Sequence, residues 1–351
     1  MMTRSATAIE VGASPNDLQE YFLERGWTDG LPIIAPTPEL VASFVAASGL
    51  GPLDEVASIA PSQVVATVEK VAINAAMAGC RPDYMPVVLA ALRAIARPEF
   101  NLAGVQGTTH PAAPLIFVNG PVRERLGINC GSSVFGQGTR ANATIGRAVR
   151  LVLMNIGQGL PGRTDMATFG SPAKFTYCAG ENEERNPWEP YHVEHGMRRD
   201  ESAVLAHAGE APHNVQDHAS RTPDELIMTI ADTMNTTGNN NAGLGGEMMV
   251  VLGPEHATIL ASHGMSKEDV RQALHRRLRF QFDRWGSGLR AWYRIRRPPT
   301  NLGPEITEIP YLDDPKQILI LVAGGPGLHS TVIPSFGGMS KSTIERIVFP
   351  G

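Results

Sequence analysis

The chain has little with which to cross a membrane, staple itself with disulfides or grip nucleic acid. None of its apolar runs reaches the roughly 18 residues that a spanning helix needs. The N-terminal stretch Met1 to Ser14 lacks an apolar run and a small-residue cleavage pattern, so no secretory signal is expected. Only three cysteines occur in 351 residues, an odd number that argues against a disulfide framework and for a reducing compartment, with the cytoplasm as the expected location. Charged residues make up 19%, the net charge is -5 and the pI about 6.1, whereas a nucleic-acid binder normally presents a basic face. The one basic stretch, Arg271 to Arg297, interleaves Trp285, Trp292 and Tyr293. Against the acidic total it reads as a solvated helix face and a linker.

Glycine and proline, by contrast, are plentiful, at 36 and 27 residues. They punctuate the chain into short elements. Asp17 to Arg25 reads as a helix, Leu31 to Ile34 as a strand, and Thr37-Pro38 as the capped start of another helix. Ser62 to Ala78 reads as a long helix closed by Gly79.

Three segments then recur in order. Arg81-Pro-Asp-Tyr-Met-Pro resembles Thr222-Pro-Asp-Glu-Leu-Ile, and Leu115-Ile-Phe-Val-Asn-Gly-Pro resembles Met248-Met-Val-Val-Leu-Gly-Pro. The strand-like Pro172 to Gly180 resembles Pro315 to Gly324. Strands alternating with helices predict an α/β protein of two pseudo-symmetric halves, each a mainly parallel sheet flanked by helices. The segments are 1–60, an N-terminal extension, then repeats at 61–200 and 201–351. At this length two lobes are the natural expectation. In such sheets ligands sit beyond the carboxyl ends of the strands, so a cleft is expected where the loops of the two halves meet.

Candidate chemistry gathers in these loops. Cys80 precedes Arg81-Pro82, the start of a new helix, where a thiol should be acidified and suited to act as a nucleophile. Cys178 ends the strand Lys174 to Cys178 and opens into Glu181 and Glu184. Its counterpart Val322 opens into Gly324, Gly325, His329 and Ser330. Cys130 precedes the run Gly136-Gln-Gly138-Thr139-Arg140-Ala-Asn142 at the head of the helix Ala143 to Asn155. Small residues there leave backbone N–H groups for an anion, with Arg140 and Arg81 as partners. The P-loop ending Gly-Lys-Ser/Thr is absent. His110, in a glycine-threonine loop, is a candidate acid or base. His192, Glu194 and His195 have the donor types for a metal but not a familiar spacing. The three cysteines match an iron-sulfur site in number and not in spacing. The asparagine run after Asn235 precedes the second half's strand and faces the same expected cleft.

The segments Gly26-Trp-Thr-Asp-Gly-Leu-Pro-Ile-Ile-Ala-Pro-Thr37, Ala78-Gly-Cys-Arg-Pro-Asp83 and Val322-Ala-Gly-Gly-Pro-Gly-Leu-His-Ser330 resemble a largely uncharacterised bacterial family associated with the thiol- or selenol-bearing UGSC proteins. The matching stretch is Cys130-Gly131-Ser132-Ser133, with Ser133 where that motif ends in cysteine. The resemblance implies thiol chemistry and no particular substrate.

These signals together predict a cysteine-dependent enzyme that hydrolyses or eliminates from a small anionic organic substrate. Cys80 and Cys178 are the thiol candidates, His110, Glu181 and Glu184 the proton-transfer groups. No cofactor is favoured. The alternatives are a metal- or iron-sulfur-dependent hydro-lyase and a non-catalytic metabolite-binding protein or subunit of a thiol-redox system. The expected partners are a small molecule and further copies of the chain, not nucleic acid or membrane.

Overall fold

The computed structural model describes residues 6–11, 14–296 and 308–350. Arg297, the last arginine of the basic stretch, lies outside the described residues, as do Met1 to Ser5. The chain opens with α1 (Pro15–Glu24), α2 (Pro38–Ser48) and a hairpin of β1 (Glu55–Ile59) and β2 (Val64–Thr67). Next come α3 (Val68–Met77), α4 (Met85–Ala96), α5 (Leu102–Gly107) and β3 (Ala113–Asn119). The short α6 (Val122–Leu126) and long α7 (Arg140–Asn155) lead to β4 (Cys178–Gly180) and α8 (Tyr191–Glu194). β5 (Ala203–Gly209), β6 (His213–Gln216), α9 (Pro223–Met234) and α10 (Asn240–Leu244) follow. Then come β7 (Met248–Leu252), α11 (Pro254–Ser262), α12 (Lys267–Arg277) and β8 (Arg279–Gln281). The described chain finishes with α13 (Ser287–Arg296), β9 (Glu308–Pro310), β10 (Ile318–Val322), β11 (His329–Ile333) and β12 (Thr343–Arg346).

Two four-stranded sheets lie at the centre, ordered β4-β3-β5-β12 and β10-β7-β11-β6. In each, the first pair is parallel, with Ile116 beside Cys178 and Ile318 beside Met248. The other pairings are antiparallel. The sheets are therefore mixed, not mainly parallel. Residues 323–328 between β10 and β11 are too few for a parallel crossover, which takes roughly a dozen, so the chain turns back on itself. The last strand of each set is exchanged: β6 follows β5 but pairs with β11, while β12 follows β11 but pairs with β5. β5 begins just past residue 200, so the first sheet draws on both expected repeats.

Side-chain alternation stacks these sheets. Leu115, Phe117, Met249, Val251, Leu319 and Leu321 fill a core between the two sheets. Their neighbours Ile116 and Val118 join α3, α4 and α7 on one outer face. Val250, Leu252, Ile320 and Val322 join α9, α11 and α12 on the other. A strand apolar at every position is what a sheet buried on both faces requires, and period two splits it between two cores. The result is four layers, helix-sheet-sheet-helix. Phe22 and Phe44 from α1 and α2 join the first helix layer.

Three local expectations shift. Residues 64–67, expected to be helical, form a strand, because Val64 and Val65 pair with Ile59 and Ser58. Leu31 to Ile34 is extended but unpaired, and the strand expected over Lys174 to Cys178 starts only at Cys178. Thr37 caps its helix as expected, and Thr222 caps α9 in a capping box with Glu225.

Candidate functional site

The carboxyl ends of the parallel pairs from both sheets point to one place. β3 and β4 end at Asn119 and Gly180, β7 and β10 at Leu252 and Val322. The departing loops meet there: Asn182 N–H donates to the Val322 carbonyl at 2.7 Å, and Gly324 N–H to the Cys130 carbonyl at 2.9 Å. Gly325 must be glycine for this approach, since a Cβ would sit 2.0 Å from Ser132 Oγ. Beside the junction lies a cavity of about 310 Å³ bordered by Ser132, Ser133, Gly253, Gly325, His329 and Ser330.

The first sheet brings charge to this junction. Arg123, on α6 and only 4% exposed at its side chain, reaches Glu184 at 2.8 Å and Glu183 at 3.1 Å. It also donates to the carbonyls of Glu181 at 2.6 Å and Gly120 at 3.1 Å. Burial works against the guanidinium charge, but the Glu184 bond and the field of Glu183 raise its pKa further. Glu184 is correspondingly held below the usual carboxylate range by Arg123. Cys130 Sγ lies 3.7 Å from the guanidinium. Burial raises this thiol, and Arg123 offsets the rise only in part. Glu181 is fully buried and accepts from Tyr191 N–H and Asn186 Nδ2, both at 2.8 Å, and from Asn119. Burial raises its carboxyl despite Lys267 nearby.

The second sheet brings glycine, hydroxyl and imidazole. Ser330, at the head of β11, accepts from Gly253 N–H at 3.1 Å and lies 2.8 Å from His256 Nδ1. His256, in the first turn of α11, is fully buried, with Nε2 3.0 Å from the Asp217 carbonyl. Gly253 permits the approach: a Cβ there would lie 2.1 Å from the His329 carbonyl. His329 stands at the rim, Nε2 3.0 Å from His218 Nε2 and Nδ1 3.0 Å from Asn214 Oδ1.

The other expected residues fall elsewhere. Cys80 is not acidified. The expected helix start is there, a 3-10 turn at Pro82–Tyr84 running directly into α4, but the buried thiol, 3.2 Å from the Thr144 carbonyl, is pushed up to about 12 by burial. Cys178 is likewise buried and its thiol raised by burial. Arg140 is not free for an anion: it donates to the carbonyls of Gly79 at 3.0 Å and Cys80 at 3.2 Å. Arg81 pairs with Asp83. In the loop of Gly136, Gly138 and Thr139, Asn142 pins Asn129 through N–H and carbonyl at 2.7 and 2.9 Å, thereby setting the Cys130 turn. His110 pairs with Glu210 at 2.7 Å beyond the amino end of β3, the wrong end for this cavity. Asn241 is buried and ties Gly245, Glu247 and Ser335 together, a structural use of the asparagine run.

Glu194 is taken by Lys267 and Arg271, and His195 bonds to the Tyr191 carbonyl at 2.8 Å and stacks on the Tyr191 ring. His192 is buried 3.8 Å from Glu183, its imidazole pKa lowered by burial. This trio does not converge. Among the described residues no three His, Cys, Asp or Glu side chains form a metal-holding group. A larger cavity of about 860 Å³ lies under the N-terminal segment, walled mainly by Leu18, Phe22, Trp27, Val41 and Met77, and contains none of these groups.

Arg123, Asn182 and His256 were not singled out from sequence. His256 had a signal available: it is the third residue after a strand-ending Gly253, on a helix facing the counterpart of the glycine loop. No protein-family model matches the chain, and no curated protein matches it. No helix among the described residues is long and apolar enough to cross a membrane.

Proposed function

We propose that the protein is an enzyme that hydrolyses a small organic substrate in the cleft where the two sheets' carboxyl ends meet. The observation that carries this reading is the convergence of Ser132, Gly253, Gly325, His329 and Ser330 around one cavity at the strand ends. Strand ends are where α/β sheets offer backbone donors to ligands. Anion affinity would come from backbone N–H groups and the N-terminus of α11, because Arg123, Arg140 and Arg81 are already engaged. A volume near 310 Å³ suits a metabolite-sized ligand.

A thiol-dependent form of the same enzyme is the second reading. The resemblance to the UGSC proteins supports it, as does Cys130 beside Arg123. Cys80 and Cys178 recede as nucleophiles because burial keeps both protonated. The idea that two pseudo-symmetric repeats frame the cleft is supported by the equal strand orders, the three recurring segments and the reciprocal exchange of β6 and β12.

The test is turnover of short-chain p-nitrophenyl esters, neutral and carboxylate-bearing, by wild type, Ser132→Trp and Cys130→Ser. Turnover lost on plugging the cavity with Ser132→Trp but kept in Cys130→Ser supports the first reading. Loss in Cys130→Ser, with the fold intact by circular dichroism, moves the chemistry to the thiol. Turnover indifferent to Ser132→Trp, or no turnover of any ester, overturns the hydrolytic cleft.

A further inference from the structure

We infer that the cavity under the N-terminal segment is a binding site for a small, uncharged, largely hydrocarbon molecule. It is separate from the hydrolytic cleft and does not rest on that reading. At about 860 Å³ it falls within the range of small-molecule sites, roughly 300–1,000 Å³. Its walls come from residues 6–11, α1, the loop 27–37, α2, α3 and the end of α7. Leu18, Trp27, Ile34, Val41, Ile73 and Met77 supply apolar surface from five of these.

The space is built into the fold, because bonds at the edges of its walls hold them in place. Gln19 on α1 accepts from Ile33 N–H at 3.1 Å, and Ile34 N–H donates to the Met77 carbonyl at 3.2 Å. Arg147 of α7 grips both oxygens of Asp29 at 2.8 Å, fixing the loop that carries Trp27. Phe22 packs edge-on against Trp27 with ring centres 5.6 Å apart, and Phe44 and Val45 anchor α2 in the core. Ala6 N–H ties the N-terminal segment down by donating to Glu69 at 3.1 Å. Ile9 and Ile34 border the cavity and are 52% and 54% exposed. Apolar surface gathered around one preformed space is what a hydrocarbon ligand would remove from water.

The polar groups of the walls select against charge. Among the described residues that border the cavity there is no Lys, Arg, His or Asp. The single carboxylate, Glu69, is 4% exposed and engaged by Ala6. Ser14 and Thr37 use their hydroxyl oxygens to cap α1 and α2. Asn155 Nδ2 donates to Asn74 Oδ1 at 2.7 Å and to the Trp27 carbonyl at 3.0 Å, and Asn74 Nδ2 to the Lys70 carbonyl at 2.9 Å. The Thr7 and Tyr21 hydroxyls and the Trp27 indole N–H are neutral groups, suited to a ligand with little more than one hydroxyl. An ion would lose water here and gain no free counter-charge. A second copy of the chain would need an open face, whereas residues 6–11 already cover part of this one.

The experiment is titration of the full chain with N-phenyl-1-naphthylamine, an uncharged probe that fluoresces in apolar surroundings. The expected result is saturable binding of one probe per chain. Ala42→Trp, which fills the cavity from an exposed position on α2, should weaken it roughly tenfold or more. Ser132→Trp, in the other cavity, should leave it unchanged. Circular dichroism confirms each fold, and Ala8→Trp serves if Ala42→Trp fails to fold. 1-Octanol should displace the probe at lower concentration than octanoate or octylammonium. No saturable binding, or binding undiminished in a folded plugged variant, overturns the site. Binding lost in Ser132→Trp instead places the probe in the cleft and overturns it equally. Displacement by octanoate or octylammonium ahead of octanol overturns the uncharged class. A wild type that takes up no probe but sediments as a dimer, and as a monomer in Ala42→Trp, makes this face an interface between copies and sinks the ligand site.

Discussion

The two sheets have the same strand order but finish their parallel strands differently. The first ends in charge: Arg123 is clamped by Glu183, Glu184 and two carbonyls, and Glu181 by three donors. The second ends in a glycine loop, with Gly253, His329 and Ser330 bordering open space. Saturated groups hold loops in place, whereas a cavity needs partners left over for a ligand. Under the proposed hydrolytic reading, the contrast puts scaffolding at the first sheet's end and the ligand at the second's.

The largest effect should come from breaking the charged end. Arg123→Met leaves the largely buried Glu183 without its cation and removes the side-chain donors to the Glu181 and Gly120 carbonyls, so stability should fall by about 3–5 kcal/mol, read as a lower urea midpoint. A loss below about 1 kcal/mol would show that the charged end is not the scaffold. Acid should come next, and it falls on the first sheet. His207 on β5 is buried and bonded to Ser342 at 2.8 Å, and burial lowers its pKa to about 4. Its unfolded value is near 6.5, so the unfolded chain binds more protons between those values. Stability contributed here is whole above pH 6.5 and lost as pH falls toward 4, by up to about 3 kcal/mol. His207→Gln should flatten that part of the stability–pH curve, and an unchanged curve would refute the assignment.

On the second sheet, Gly253→Ala sets a methyl against the His329 carbonyl. It should cost about 1–3 kcal/mol and shift the head of β11, slowing ester turnover more than it lowers the melting temperature. The smallest effect separates the thiols. Native iodoacetamide labelling should modify half-buried Cys130 roughly tenfold faster than Cys80 or Cys178, measured by peptide mass spectrometry. Equal rates would remove the distinction between the junction thiol and the two core thiols.

The α/β character was legible in the sequence because Leu115 to Val118 and Met248 to Leu252 are unbroken apolar runs, each followed by a Gly-Pro turn. The helix start at Thr37 was equally plain. β5 and β11 were not, since Ala203 to Gly209 mixes alanine and glycine with a histidine and His329 to Ile333 begins polar. Their strand character comes from pairing partners more than 70 residues away. The same nonlocality hid the site. Glu181, Gly324, Gly325, His329 and Ser330 were singled out because ligands sit at strand ends in this class, but nothing near His256 in sequence points to Ser330. Cys80 misled because its neighbours suggest a helix N-terminus, while its acidity is decided by burial under α7.

The exchanged strands have a consequence for synthesis. β5 is made near the middle of the chain, but its edge partner β12 is made at residues 343–346. While the intervening residues are made, β5 must wait with one row of N–H and C=O groups unpaired, an open template for another strand. A strand made more than 130 residues after β5 therefore closes the first sheet, and a chain stopped short of it would carry a sticky edge into a crowded cell.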